Sequence, residues 1–251
     1  ADFVLGDGSS VAGVALAYTD TNVASGSSNA DVNGLHLAAY AGYNAGGFAL
    51  SGSLGFGFQD YRFERNFTAA GAAQRATGTT NGTSLAGALE LFYDAAPAAG
   101  WNAPSSASGL SFGPVGRFLV AGGRYDGFTE TGAGILNLTV ADTSVTQVRS
   151  LLGLTGALEM QMGGGGRLRL DGELGWENIF QGRSVTTDST IGIAGAAFST
   201  GTAPIDADRF ALGLGAAYAV SDRTTLTLRY DGRIGARSNY HRASAGFSIA
   251  F

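Results

Sequence analysis

The sequence predicts an all-β fold, a transmembrane antiparallel up-and-down β-barrel. Three observations lead to this prediction. Apolar residues alternate with small or polar ones over stretches of about ten residues, the length that a tilted barrel strand needs to cross a bilayer. No apolar run approaches the roughly 18–20 residues of a membrane-spanning helix. The connections between the alternating stretches are short and long in turn, as they are in barrels that span membranes.

The composition supports a membrane-exposed sheet and excludes several classes of protein. The chain has 41 Gly and only 4 Pro, and charged residues make up 14%, well below the usual quarter of a soluble domain. It has no cysteine, so it contains neither a disulfide framework nor a cysteine metal site. The net charge of −5 argues against nucleic-acid binding, which needs clustered positive charge.

Alternation is clearest over residues 168–177, where every even position except Gly172 is apolar and the odd positions carry Arg or an acidic residue, apart from Gly175. A strand places those charges on one face, whereas a helix would scatter them. The same pattern predicts ten strands, at about residues 10–18, 34–43, 48–60, 83–93, 116–126, 146–161, 167–178, 210–219, 224–233 and 242–251.

The strand count predicts that the barrel is incomplete in this chain. Residues Ala1–Leu5 resemble the end of an eleventh strand, because Gly6-Asp7-Gly8 is a turn signal. Single-chain bacterial barrels have an even number of strands. We therefore expect 12 strands with the first missing from this chain, and residues 1–251 to form one N-terminally incomplete barrel domain.

The connections predict the orientation of the barrel. Short turns are expected at Gly6–Gly8, Asn44–Gly47, Gly163–Gly166 and Val220–Arg223, and long loops at 20–33, 61–82, 127–145, 179–209 and 234–241. Short turns are periplasmic and long loops extracellular in outer-membrane barrels, which places the C-terminus in the periplasm. One connection departs from this pattern, because residues 94–113 should be a short turn and run to about twenty residues.

Aromatic residues on the apolar register form two belts. Those expected at the loop ends of the strands are Tyr18, Phe58, Trp176, Phe210 and Tyr230, and those at the turn ends are Tyr43, Phe48, Tyr93, Tyr218 and Phe251. From Phe48 to Phe58 the strand rises roughly 33 Å. A tilt near 40° reduces this to about 25 Å, the height of the apolar band of such barrels.

The opposite register predicts a hydrated lumen lined by charges of both signs. The charged residues expected to face it are Glu90, Arg149, Glu159, Arg169, Asp171, Glu173, Glu177, Arg229, Asp231 and Arg242. Because both signs occur, these side chains can pair across the barrel. Two interpretations remain open: ordinary hydration of a lumen, or contact with a plug helix or a translocating chain.

Several short stretches, in their order and spacing, resemble the translocator domain of autotransporters, the barrel of type V secretion. They are Leu5–Gly8, the Val14–Tyr18 strand, Asp126–Gly132, Gly201–Asp208 and Arg229–Gly232. The resemblance covers essentially the whole chain. It implies a twelve-stranded barrel threaded by an N-terminal helix, with a passenger domain fused upstream.

The resemblance also implies a function and a set of partners. The domain would insert into the bacterial outer membrane as a monomer, anchor its own passenger and let it reach the cell surface, without a cofactor. Its partners would be membrane lipid, its own passenger and linker helix in the lumen, and the outer-membrane barrel assembly machinery. The last strand resembles the assembly signal that this machinery reads, with Phe247, Ile249 and Phe251 facing lipid.

Two rival functions remain to be weighed. The first is a porin-like channel without a passenger. The second is a barrel protease or lipase, because residues 109–113 match the G-x-S-x-G pattern around Ser111, and Asp206 and Asp208 form a carboxylate pair in a long loop. We expect no catalysis, since that pattern requires a strand, a sharp turn and a helix, and only His36 and His241 could serve as base. We expect residues 109–113 to be a flexible turn and the aspartates to be solvated, and two histidines without cysteine predict no metal site.

Overall fold

A computed structural model of the protein describes residues 2–6, 8–101, 107–192, 195–221 and 223–249. Its strands are β1 (Asp2–Leu5), β2 (Ser10–Ser25), β3 (Ser28–Ala45), β4 (Phe48–Ala69), β5 (Ala72–Tyr93), β6 (Ala107–Tyr125), β7 (Phe128–Thr129), β8 (Leu138–Val140), β9 (Thr143–Gln161), β10 (Arg167–Gln181), β11 (Thr186–Ile191), β12 (Ala196–Gly201), β13 (Asp208–Ser221), β14 (Thr224–Ile234) and β15 (Asn239–Ile249). Single turns of 3₁₀ helix occur at Gly134–Leu136 and Gly163–Gly165.

Eleven of these strands form one antiparallel sheet in the order β1-β2-β3-β4-β5-β6-β9-β10-β13-β14-β15. Each strand pairs with the next sheet strand along the chain, which confirms the predicted up-and-down topology and the eleven predicted strands. The sheet curls so that strands far apart in this order line a common cavity. β1 and β15 are its two edges, and no pairing joins them within the described residues.

The sheet has two unlike ends. At the turn end, four of the five connections are the predicted short turns; Gly46 and Gly47, both with positive φ, make the two-residue turn between β3 and β4. At the loop end lie the β2–β3, β4–β5, β6–β9, β10–β13 and β14–β15 connections.

Two predicted long loops are wrong. β2 and β3 remain paired up to Ser25 and Ser28, and β4 and β5 up to Ala69 and Ala72, so residues 20–33 and 61–82 are mainly strand. Their outward positions are polar, as at Asp20 and Arg62, so the apolar alternation that indicates a strand is missing. The main-chain ladder continues because its hydrogen bonds do not depend on apolar side chains.

The predicted loops 127–145 and 179–209 contain a second sheet. Its four short strands are ordered β12-β11-β8-β7, so it joins the β6–β9 connection to the β10–β13 connection. A bridge between Thr77 on β5 and Thr131 attaches the β6–β9 connection to the β4–β5 hairpin. The loop end of the barrel is therefore a connected structure.

The unusual 94–113 connection is shorter than predicted, because β6 already begins at Ala107. Its first residues cover the edge of β6 beyond the end of β5. The Ala95 N–H donates to the Phe112 carbonyl at 2.8 Å, and the Phe112 N–H donates to the Asp94 carboxylate at 3.1 Å. An edge that would otherwise be unpaired is thus satisfied.

Apolar side chains lie outside and polar ones inside, the reverse of a soluble domain. Leu16, Leu152, Leu228 and Phe247 are exposed on the convex face, which we call the outer face. Buried side chains include charged ones such as Glu177, at 3% exposure. Such a surface is stable only if lipid covers it.

Candidate functional site

The concave face of the large sheet, which we call the inner face, encloses a cavity of about 380 Å³. Residues from β2 to β14 line it, among them Val11, Ser53, Arg117 and Arg233. All ten charged residues that were predicted to face the lumen lie in this register. Glu90 is opposite Arg117, for example, and the neighbouring outward positions are apolar.

A cluster of three arginines around Glu177 forms the centre of the inner face. Arg209 on the adjacent β13 donates to the Glu177 carboxylate from Nε at 2.9 Å and from Nη2 at 2.5 Å. Arg149 and Arg233 approach the other oxygen, each at 3.5 Å. Arg233 on β14 reaches Glu177 on β10 across β13, and this is possible only on the concave face of the sheet. The cluster carries a formal excess of positive charge around a buried carboxylate.

A second cluster has the opposite balance. Arg117 on β6 pairs with Glu90 on β5, and its Nη1 lies 2.6 Å from Glu173 on β10, across β9. One cation therefore serves two carboxylates. The sequence analysis did not identify Arg117, Arg209 and Arg233 as residues that face the lumen. Each precedes an outward aromatic or apolar residue, so the alternation contains the signal that could have found it.

The remaining predicted charges lie closer to the turn end or to the edge strand. Glu159 pairs with Arg169 at 2.8 Å. Arg229 lies 3.5 Å from Asp171 and 3.1 Å from Asp231. Arg242 on β15 is opposite Asp231 in register, but it makes no ion pair within the described part of the chain.

The half of the inner face formed by β2, β3 and β4 is nearly free of charge. Most of its side chains are small, as at Ala38 and Gly55, and its polar groups bond locally. His36 Nε2 lies 3.1 Å from the Thr19 hydroxyl, and Gln59 donates to Ser84 at 2.7 Å. The Gln59 carbonyl oxygen is buried without a partner among the described groups. The inner face thus has a smooth neutral side and a charged side.

At the loop end, the β6–β9 connection packs on the inner side of the β4–β5 hairpin. The Phe128 and Phe63 rings stack with centroids 5.1 Å apart. Gly78 leaves room for Phe128, since any side chain there would collide with the ring. Arg65 binds the Glu130 carboxylate with two hydrogen bonds. The connection is held over the loop-end mouth of the cavity.

The carboxylates of Asp206 and Asp208 are engaged in local contacts. Asp206 accepts hydrogen bonds from the Arg237 and Ser238 N–H groups, each at 2.8 Å, and from the Ser238 hydroxyl. These N–H groups, Arg237 first, hold the pKa of the Asp206 carboxyl below its usual value. Asp208 accepts from the Trp176 indole at 3.1 Å. Both aspartates therefore brace the loop end.

The prediction that the G-x-S-x-G stretch is a flexible turn is wrong, because the stretch is part of β6. It lacks the strand-turn-helix geometry that exposes a nucleophile. His36 contacts Thr19, and His241 lies 2.7 Å from the Tyr230 hydroxyl, so neither contacts Ser111. No group of three metal-ligating side chains occurs among the described residues. The described residues also form no helix long and apolar enough to cross a membrane.

The predicted assembly signal is partly within the described residues. Phe247 and Ile249 are exposed on the outer face of β15, opposite Leu226 and Thr224. Phe251 lies outside the described residues. The outer face of β15 thus presents apolar side chains at alternate positions beside an unpaired edge.

Comparison with known proteins gives a consistent result. The family model described as "Autotransporter beta-domain" matches residues 1–231. The fold is similar to the translocator domain of the autotransporter NalP from Neisseria meningitidis, with a TM-score of 0.66 and 19% identity over 97% of this chain and 76% of that one. It is also similar to the β domain of the Bordetella autotransporter BrkA, with a TM-score of 0.61 and 21% identity over 100% of this chain and 87% of that one. No curated protein sequence matches significantly.

Proposed function

The chain belongs to the autotransporter β-domain family, and from this premise we propose that its inner face holds the linker to an upstream passenger. The resemblance inferred from the sequence is thereby confirmed, and so is the predicted fold class. The domain is an outer-membrane β-barrel for passenger export.

The asymmetry of the inner face carries the proposal. An α-helix with its side chains is about 10–12 Å across, so it needs a wall of small residues to approach closely. The side formed by Ala38, Gly55 and their neighbours is such a wall. The opposite side holds the Glu177 and Arg117 clusters. Their charged groups could pair with those of a helix that carries both signs of charge.

The open edges of the sheet require a further strand. Unpaired main-chain groups in hydrocarbon cost several kcal/mol each, so β1 and β15 cannot both face lipid unpaired. We infer that a strand from upstream of Ala1 lies between them and completes a barrel of twelve. Arg242, on the inner face of β15, would then be available to the strand or to the helix that follows it into the lumen.

The barrel's orientation and assembly follow from the unlike ends. The turn end belongs in the periplasm and the loop end outside the cell, since long connections are extracellular in such barrels. The chain then ends in the periplasm. There the apolar outer face of β15, with Phe247 and Ile249, and the C-terminal Phe251 would be recognised by the barrel assembly machinery. Deleting Phe251 should lower the amount of heat-modifiable, folded barrel.

We further propose that the domain has no enzymatic activity. Ser111 is part of a regular strand, and Asp206 and Asp208 are bonded to neighbouring groups at the loop end. Replacing any of the three residues should therefore leave the hydrolytic activity of the cells unchanged. A porin-like channel is the alternative; it would show a stable ionic conductance, whereas a lumen filled by a helix would not.

The linker proposal is tested by disulfide trapping, because the chain has no native cysteine. Ala38 and Ala39 are neighbours on β3 that face inward and outward, respectively, so they are a matched pair. In the full-length protein, a cysteine in the upstream linker should form a disulfide with Ala38→Cys and not with Ala39→Cys. The proposal would be refuted if both variants were trapped equally. It would also be refuted if neither was trapped across a scan of linker positions.

A further inference from the structure

The outer face has a groove that crosses β9 and β10. Gly156 and Gly172 are directly opposite each other in the strand pairing, and neither has a side chain to fill the surface. Leu158 and Leu170 form the next pair toward the turn end, and Leu154 and Leu174 the next pair toward the loop end. Two rows of leucine, four residues or roughly 13 Å apart along the strands, therefore flank a floor of glycine.

Trp101 closes one end of this groove. The indole packs on Phe112 of β6, with ring centroids 5.3 Å apart, and Phe112 is opposite Gly156 in the pairing. The open space beside the indole is about 270 Å³, with Leu110, Leu158 and Leu170 among its lining residues. Trp101 belongs to the connection between β5 and β6. This connection is longer than the other turn-end connections and longer than is needed to join two neighbouring strands. Half of its own surface remains exposed.

We propose that this groove binds one acyl chain of a phospholipid, with the Trp101 indole at the boundary between chains and headgroups. The outer-face side chains around it are apolar, so water would find no partners there. The groove is continuous with the lipid-covered outer face, and lipid chains are what that face meets. Tryptophan is the side chain favoured at this boundary, since its ring is apolar and its N–H is polar.

Trp101 lies in a connection at the turn end, so this groove meets the lipid leaflet on that side of the bilayer. The assignment to a phospholipid, and not to the lipid of the outer leaflet, rests on the orientation proposed above. The tests below use bilayers of phospholipid alone, so they remain informative if the orientation or the passenger proposal fails.

The first test uses fluorescence, since the chain has only two tryptophans. The full chain with Trp176→Phe is reconstituted into phosphatidylethanolamine–phosphatidylglycerol nanodiscs, and the signal of the Trp176→Phe/Trp101→Phe variant is subtracted. The difference is the emission of Trp101. Phospholipids brominated along the acyl chain should quench it strongly, and iodide in the aqueous phase should quench it weakly. Emission that only iodide quenches would overturn the proposal.

The second test fills the groove. A Cβ added at Gly172 would have only Leu214 within 4 Å, at 3.9 Å, so Gly172→Leu should fold and occupy the floor. Native mass spectrometry of the detergent-exchanged full chain should show one retained phospholipid, and Gly172→Leu should lower its occupancy about tenfold, as expected for about two methylene groups that lose their contacts.

The matched control is Gly87→Leu, on the outer face of β5, where the added Cβ likewise has space. It should leave the retained lipid unchanged. Trp101→Ala leaves the strands intact and should also lower retention, so the proposal stays testable if Gly172→Leu misfolds. Equal retention in Trp101→Ala and the unmodified chain, or equal losses in Gly172→Leu and Gly87→Leu, would overturn it.

Discussion

Arg65 donates two hydrogen bonds to the carboxylate of Glu130, at 3.1 and 2.6 Å. Arg65 is on β4, and Glu130 is in the connection between β6 and β9. The same carboxylate accepts the Leu138 N–H at 2.8 Å, and Arg65 also donates to the Leu136 carbonyl. One nearly buried carboxylate therefore fixes the shape of the connection and attaches it to the β4–β5 hairpin.

Glu130→Gln should release this connection without unfolding the barrel. Hydrogen bonds to charged groups contribute about 2 kcal/mol, so the Leu138 amide should exchange about thirtyfold faster. The measurement is native-state hydrogen exchange with peptides covering residues 127–142. Glu64→Gln is the control, because its Arg75 partner is mostly exposed and such pairs contribute little. Unchanged protection in Glu130→Gln would contradict the assigned role.

Glu177→Gln should destabilise the whole barrel. It would leave Arg149, Arg209 and Arg233 close together without their shared carboxylate, and breaking a buried pair costs roughly 3 kcal/mol or more. A urea titration followed by the heat-modifiable band on gels would report the loss. Glu159→Gln is the matched control, because both members of that pair are half exposed. Equal losses in the two variants would show that burial of Glu177 does not matter.

The difference between these two carboxylates shows what the sequence could predict. Alternation predicts that both lie on the same face, because a strand has a strict period of two. It could not tell which would be buried, since the partners of Glu177 come from β9, β13 and β14, and Arg233 reaches it only because the sheet curls. Curvature is a property of the whole sheet, whereas alternation is local.

The strand segments beyond the membrane were not predicted, because they lack the alternation of apolar residues. Alternation arises because one face meets lipid and the other water, so it ends where both faces are hydrated. Thr19–Ser25 and Tyr61–Ala69 are strand in the structure, but their outward positions carry polar residues such as Arg62. Their stability depends on ladder hydrogen bonds and on contacts such as that of Phe63 with Phe128, which join segments 65 residues apart.

The turn that Asp206 holds should respond to acid. Because the pKa of Asp206 is depressed in the folded protein, its contribution is complete above the ordinary carboxyl pKa and is lost as the pH falls through the lower, folded value. The contacts with Arg237 and Ser238 should therefore persist at pH 5 and weaken only below about pH 4. Asp206→Asn should loosen residues 235–238 already at neutral pH. The readout is proteolysis of this turn across pH in both proteins; a wild-type transition above pH 5 would contradict the sign.

Single cysteines test the proposed orientation of the barrel. Ala70, at the tip of the β4–β5 hairpin, and Ala45, beside the turn between β3 and β4, are both exposed and lie at opposite ends. A membrane-impermeant maleimide added to intact cells should label Ala70→Cys and leave Ala45→Cys unlabelled until the outer membrane is opened. The reverse pattern would place the turn end outside the cell.

The tip of the β4–β5 hairpin contains a strained residue that can be improved. Ala70 and Gly71 form a two-residue turn in which both residues have positive φ, 49° and 77°. This left-handed conformation costs an alanine about 1 kcal/mol, whereas asparagine tolerates it and favours such turns before glycine. Ala70→Asn should therefore stabilise the hairpin and slow amide exchange over residues 66–75 by up to about fivefold. Ala72→Asn, in extended backbone two residues later, should give no such gain. If both variants slowed exchange equally, the effect would come from the polar side chain and not from the relief of backbone strain.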